Sequence, residues 1–179
     1  GSLGGLQTTP TLSWSAEHAG ASLGYGVGSL AGLGDVDGDG TPDFAVGAPG
    51  WTEGTSTNAG RGLVWYGLPT AGPDTEIAGV ETGWELGYSL AGPGDVDGDG
   101  FADLLIAAPM PGNAGNVLGG TASLYEGTSG GLNPTPVWTA TGSGVGACCA
   151  SFGIDTTPLG DINADGFADF AIGAGRWGA

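Results

Sequence analysis

Gly34-Asp35-Val36-Asp37-Gly38-Asp39-Gly40 returns as Gly94-Asp95-Val96-Asp97-Gly98-Asp99-Gly100, and again as Gly160-Asp161-Ile162-Asn163-Ala164-Asp165-Gly166. The copies lie 60 residues apart (Asp35 to Asp95) and 66 apart (Asp95 to Asp161). Each runs on into a matching apolar stretch: Asp43-Phe44-Ala45-Val46-Gly47-Ala48-Pro49, Asp103-Leu104-Leu105-Ile106-Ala107-Ala108-Pro109 and Asp169-Phe170-Ala171-Ile172-Gly173-Ala174-Gly175. Upstream stand Leu86-Gly87-Tyr88-Ser89 and Phe152-Gly153-Ile154-Asp155. The first copy is less regular there, with Leu23-Gly24-Tyr25-Gly26 a few residues further from its loop. A second shared element, Gly1-Ser2-Leu3-Gly4-Gly5-Leu6 with Pro10 and Trp14, matches Gly127-Thr128-Ser129-Gly130-Gly131-Leu132 with Pro136 and Trp138. Self-similarity at such a period marks a repeat architecture built from stacked units.

Inside each repeat, short apolar runs are broken by turn residues, the pattern of strands. In the first repeat Phe44 to Ala48 and Gly62 to Tyr66 are predicted strands, Thr75 to Ala78 is a weaker one, and Leu86 to Ala91 leads into the next loop. Glycine fills 41 of 179 positions, and scarcely any window of twelve residues lacks Gly or Pro, so long helices and helical solenoids are excluded. Apolar residues at 40%, with six Trp, still supply a core. The expectation is an all-β fold: propeller blades of four antiparallel strands, about twelve strands in all. Residues 1–179 read as one array with acid loops at 35–43, 95–103 and 161–169. Both ends are read as cut from a longer array. In the second repeat the stretch after the apolar close leads into Gly120 to Glu126, which the third repeat lacks.

Charge narrows the function. Nineteen acidic residues face Arg61 and Arg176, with no lysine, for a formal charge of −17. That excludes nucleic acid and anionic membrane surfaces as partners, because both need Lys and Arg. It also excludes a phosphate loop with its lysine. No run of eighteen apolar residues occurs, so membrane insertion is not expected. Neither a leader pattern nor an initiator Met is found at the start. Eleven of the thirteen Asp residues fall in the three loops, and carboxylates crowded that tightly call for a cation.

Counting from Asp35, the first loop offers oxygens at positions 1, 3, 5 and 9 from Asp35, Asp37, Asp39 and Asp43, with the Thr41 carbonyl at position 7. The second offers Asp95, Asp97, Asp99 and Asp103 with the Phe101 carbonyl. The third offers Asp161, Asn163, Asp165 and Asp169 with the Phe167 carbonyl; Asn163 keeps an oxygen but loses a charge, so weaker binding is expected there. Hard oxygen donors in this number suit Ca²⁺, with Mg²⁺ second; transition metals want His or thiolate. An EF-hand needs a Glu at position 12 and flanking helices. That position holds Val46, Ile106 and Ile172. Metal-free Asp-Gly turns are the remaining alternative.

Taken together, the Phe-Gly opening, the Asp-rich loop and the Gly-Ala-Pro close resemble the FG-GAP repeats of the integrin alpha-chain β-propeller and their bacterial relatives. The resemblance covers nearly the whole chain as three repeats. It implies three Ca²⁺ sites on the positions just named and an extracellular, secreted or cell-surface setting. The function expected is a non-catalytic interaction or structural module for adhesion or scaffolding. Its partners would be another protein, further blades or copies of itself, with glycans as an added option. Two other readings stand beside it: a subunit of a self-assembling extracellular filament or surface layer, and an accessory propeller of a secreted hydrolase or lyase.

Other residues carry less. His18 is the single histidine and reads as a surface residue. Glu81 and Glu85 read as a solvated face rather than a glycosidase pair. Cys148 and Cys149 are adjacent and read as structural. Trp14, Trp65, Tyr66, Tyr125 and Trp138 read as blade core or inter-blade packing. Trp51 and Trp177 sit in loops where an exposed ring can meet sugar or protein. Gln7 to Ser13 and Asn133 to Thr141 are candidate O-glycan stretches.

Overall fold

The structure, a computed structural model, describes residues 20–26, 28–69, 71–110, 118–143 and 151–175. His18, Trp14, Cys148, Cys149, Arg176 and Trp177 lie outside them. Ten strands follow in order: β1 (Leu30–Gly34), β2 (Asp43–Gly47), β3 (Arg61–Trp65), β4 (Thr75–Ala78), β5 (Ser89–Gly94), β6 (Asp103–Ala108), β7 (Leu118–Tyr125), β8 (Trp138–Ser143), β9 (Phe152–Gly160) and β10 (Asp169–Ala174). No helix occurs among the described residues, so none is present there to cross a membrane.

Consecutive strands pair antiparallel. β1-β2-β3-β4 form blade 1, β5-β6-β7-β8 form blade 2, and β9-β10 are the described part of blade 3. The expected four-stranded blades are therefore seen twice. The third has two described strands, so the count is ten rather than twelve. An acid loop joins the first two strands of every blade, at the edge where β1 meets β2 and its equivalents.

Strand alternation decides how blades stack, because neighbouring side chains point to opposite faces. Leu104 and Ile106 of β6 enter one core with Leu33, Val36, Ala45, Val64 and Ile77 of blade 1. Leu105 and Ala107 enter a second core, against which Phe152, Phe170 and Ile172 of blade 3 pack. β6 is thus buried on both faces, and each blade covers the next. The first strands of successive blades also pack together, β1 on β5 and β5 on β9. A Cβ at Gly92 would stand 2.4 Å from the Gly32 carbonyl oxygen, so only glycine permits β5 to lie this close to β1.

The expected strand at Leu86 to Ala91 needs correction: the strand is Ser89–Gly94. Glu85 (φ 57°) and Gly87 (φ 84°) are left-handed, and the Tyr88 N–H closes a turn on the Glu85 carbonyl at 3.0 Å. The same turn stands before β1 and at the start of β9. There the Tyr25 and Ile154 N–H groups donate to the carbonyls of Ser22 (φ 54°) and Ser151 (φ 45°) at 2.9 and 3.0 Å. The irregular first copy is thereby explained. The Gly24 N–H donates to the Gly47 carbonyl as the Gly87 N–H does to the equivalent Ala107 carbonyl, so the turn keeps its place against the second strand although it stands further from its loop in sequence.

Trp51 also departs from expectation. It is buried with Ala21 and Ala48, and the Arg61 guanidinium lies 4.4 Å over its ring. Arg61 is paired in turn with Glu53 and Glu76. An exposed contact role for Trp51 is therefore withdrawn. Trp138 does meet the next blade, edge-on to Phe170 at 5.8 Å. Trp65 and Tyr125 are buried. Glu81 is exposed, but Glu85 is only partly so, and burial pushes its carboxyl upward.

Candidate metal centre

Each acid loop is shaped by its own carboxylates. Asp35 accepts the Gly38 N–H at 2.7 Å on one oxygen and the Gly40 N–H at 2.9 Å on the other. Asp37 accepts the Asp39 N–H at 3.1 Å, and Asp39 accepts the Thr41 N–H at 2.7 Å. Loop 2 repeats all four bonds with Asp95, Asp97 and Asp99. Such bonds turn alternate side chains toward one point. One oxygen each from Asp35, Asp37 and Asp39 lies within 4.8 Å of the others, and the same holds for Asp95, Asp97 and Asp99.

Loop 3 is built in a similar way with one bond shifted, its first Asp accepting from position 5 where loops 1 and 2 use position 4. Asp161 accepts N–H groups from Asp165 and Gly166 at 3.0 and 2.9 Å. The Asn163 carbonyl oxygen accepts from Asp165, and its amide donates back to the Asp165 carboxylate at 2.9 Å. Ala164 takes the left-handed conformation (φ 61°) that Gly38 and Gly98 hold in the other loops.

The position-9 carboxylates stand apart from these triplets. Asp43 accepts the Val36 N–H and the Gly67 N–H, both at 2.7 Å. Asp103 accepts from Val96 at 2.8 Å and from Gly127 at 3.0 Å. Asp169 accepts from Ile162 at 3.0 Å. Asp43 and Asp103 are buried, and each ties its loop to the end of the third strand. Gly67 and Gly127 were not singled out by sequence reasoning. The signal was present, since both follow their Asp by 24 residues and lie just beyond a Trp or Tyr ending the strand.

Charge in these loops is under strain of a specific sign. Burial pushes the Asp103 carboxyl up to about 6, the nearby Asp97 and Asp95 charges add to this, and the Val96 and Gly127 N–H groups offset part. Asp43 is raised for the same reasons. Asp39 moves the other way, lowered by the hydroxyl and N–H of Thr41. Glu126, which sequence reasoning also missed, is raised by desolvation and then by Asp97 and Asp99 beside it. Oxygen triplets within reach of one point, backed by a carboxyl that resists ionising without a counter-charge, fit a hard divalent cation.

Residues 27–65 and 86–119 match the FG-GAP repeat family. The chain carries FG-GAP repeats. The FG-GAP match spans the first two loops with their flanking strands. Integrin alpha-4 of Xenopus laevis is 33% identical over 162 residues, covering 88% of this chain and 15% of that protein. Integrin alpha-PS2 of Drosophila melanogaster is 39% identical over 157 residues, covering 85% of this chain and 10% of that protein. The phosphatidylinositol-glycan-specific phospholipase D of Rattus norvegicus is 36% identical over 103 residues, covering 55% of this chain and 12% of that protein. The FG-GAP chain therefore spans a small fraction of these relatives' length.

Proposed function

We propose that this chain is a calcium-stabilised, non-catalytic interaction module that works outside the cell. The observation that carries the proposal is the repetition of one backbone-anchored oxygen cluster on successive blades. The ligand sets are Asp35, Asp37, Asp39, Asp43 and the Thr41 carbonyl; Asp95, Asp97, Asp99, Asp103 and the Phe101 carbonyl; and Asp161, Asn163, Asp165, Asp169 and the Phe167 carbonyl. Bound Ca²⁺ supplies positive charge that lets neighbouring carboxylates ionise together, and so staples the first strand of each blade to the second. Likeness to integrin alpha chains supports an extracellular setting and a protein partner.

A further blade is the partner we favour. Blade 1 covers the face of blade 2 that carries Leu104 and Ile106. The equivalent face of blade 1, with Phe44, Val46 and Trp65, lines a cleft of about 440 Å³ among the described residues. A second reading, an accessory propeller beside a catalytic domain, draws on the phospholipase D match. Hydrolysis of phosphodiesters by the purified chain would overturn the non-catalytic part of both.

Calcium is tested by melting the chain in excess Ca²⁺ and in chelator. The unfolded chain lacks assembled sites, so ligand at about 100 times its dissociation constant adds about 2.7 kcal/mol per site. A midpoint unmoved by Ca²⁺ would refute the proposal.

A further inference from the structure

Successive acid loops touch, and they do so in the same way twice. The Ala102 N–H of loop 2 donates to the Asp35 carbonyl of loop 1 at 2.9 Å, and the Ala168 N–H of loop 3 donates to the Asp95 carbonyl of loop 2 at 2.8 Å. The Phe101 ring lies over Gly38, where an added Cβ would come within 2.5 Å of its Cε1. Phe167 lies over Gly98, where the distance would be 2.6 Å. Asp35 and Asp95 are first in their loops, Gly38 and Gly98 fourth, Phe101 and Phe167 seventh, Ala102 and Ala168 eighth.

The contact has two halves. One loop gives a ring at position 7 and an amide hydrogen at position 8; the loop before it receives them on a bare glycine at position 4 and a carbonyl at position 1. Loop 2 has both halves. Loop 1 has Thr41 and Pro42 where the giving half would be, so it offers neither a ring nor an N–H. Loop 3 has Ala164 at position 4, whose Cβ occupies the place where a ring would settle. Each terminal loop lacks the half for which these three loops contain no mate.

The geometry points to a single cooperative cation-binding unit of three loops, in which Phe101-Ala102 and Phe167-Ala168 couple each loop to the one before it. This rests on the reading of the loops as calcium sites. Asp35 shows why coupling follows. Its carboxylate organises loop 1 through Gly38 and Gly40, while its carbonyl holds Ala102 of loop 2. An ion in loop 2 fixes the segment that carries Phe101 and Ala102, and with it the Asp35 carbonyl and Gly38. Loop 1 then has less freedom left to lose on binding its own ion. Linkage makes the effect reciprocal.

Ca²⁺ titration of the 179-residue chain, followed at the amide resonances of Gly40, Gly100 and Gly166, tests this loop by loop. The three resonances are expected to move together along a curve steeper than single-site binding. Asp95→Asn combined with Asp97→Asn is expected to weaken binding in loops 1 and 3 by about fivefold or more, the lower end of ordinary coupling between sites. Phe101→Ala is expected to weaken loop 1 although loop 2 keeps its carboxylates and its Phe101-position carbonyl. Should either variant fail to fold, the wild-type curves decide alone. Independent single-site curves, or an unchanged Gly40 midpoint in the loop 2 variant, overturn the coupling and leave the calcium sites standing. No calcium-dependent shift at any of the three glycines overturns the calcium reading and this inference with it.

Discussion

Val36, Val96 and Ile162 hold the second position of their loops, each after the first Asp and, for Ile162, before Asn163 rather than a second Asp, and their surroundings differ by degrees. Val36 is sealed: loop 2 lies over it, and its carbonyl accepts the Thr128 N–H from the end of β7. Val96 has loop 3 over it and is half-buried. Ile162 is 69% exposed. The position-9 acids follow suit, with Asp43 and Asp103 buried between two N–H donors and Asp169 half-exposed with one among the described residues. A loop's sequence sets its internal turn, but the blade after it sets its burial. One motif therefore meets three different degrees of burial among the described residues.

The sharpest test compares Leu104 with Phe170, equivalent positions in β6 and β10. Leu104 is fully buried between blades 1 and 2, so Leu104→Ala should cost about 3–4 kcal/mol by urea denaturation in excess Ca²⁺. Phe170 is covered on one side, and Phe170→Ala should cost about half as much despite removing more atoms. Equal costs would mean that blade 3 is as well packed as blade 2.

Next comes the position-9 carboxylate, measured in chelator so that ion binding does not enter. Asp103→Ala strands two buried donors, Val96 and Gly127, at about 3 kcal/mol together. Among the described residues Asp169→Ala frees the Ile162 N–H alone, which reaches water, at about 1 kcal/mol or less. The reverse order would break the comparison.

A pH scan sharpens it without mutation. Asp103 titrates at about 6 in the folded chain and near 3.9 when unfolded. Between those values the folded state binds the extra proton, so chelated protein should lose stability as pH rises from about 4 to about 6. Asp43 acts in the same direction. Asp103→Asn should flatten the slope. A chelated midpoint that climbs over this range would contradict the buried setting of loop 2. The smallest effect belongs to position 2: Val36→Ala should cost about 1–2 kcal/mol, and exposed Ile162→Ala should stay within about 0.5 kcal/mol.

The sequence by itself determined that the chain is built of repeats, that those repeats are β, and which oxygens crowd each loop. These are local matters. Alternating apolar residues, glycines at left-handed turns and acids two residues apart act within a few bonds of where they stand. Thr75 to Ala78, a weak reading, is strand β4, whereas the strand placed at Leu86 starts at Ser89. There the left-handed Glu85 gave no compositional warning. Tertiary structure decided the rest. Trp51 looked like a loop aromatic and is buried under Arg61, because Glu53 and Glu76 draw that guanidinium across it from separate segments. Phe101 looked like a carbonyl donor alone, and its ring turned out to rest on Gly38, 63 residues earlier in number and one blade away in space. Side chains that act between blades are invisible to a reading within one repeat, because their partners are fixed only when the blades stack.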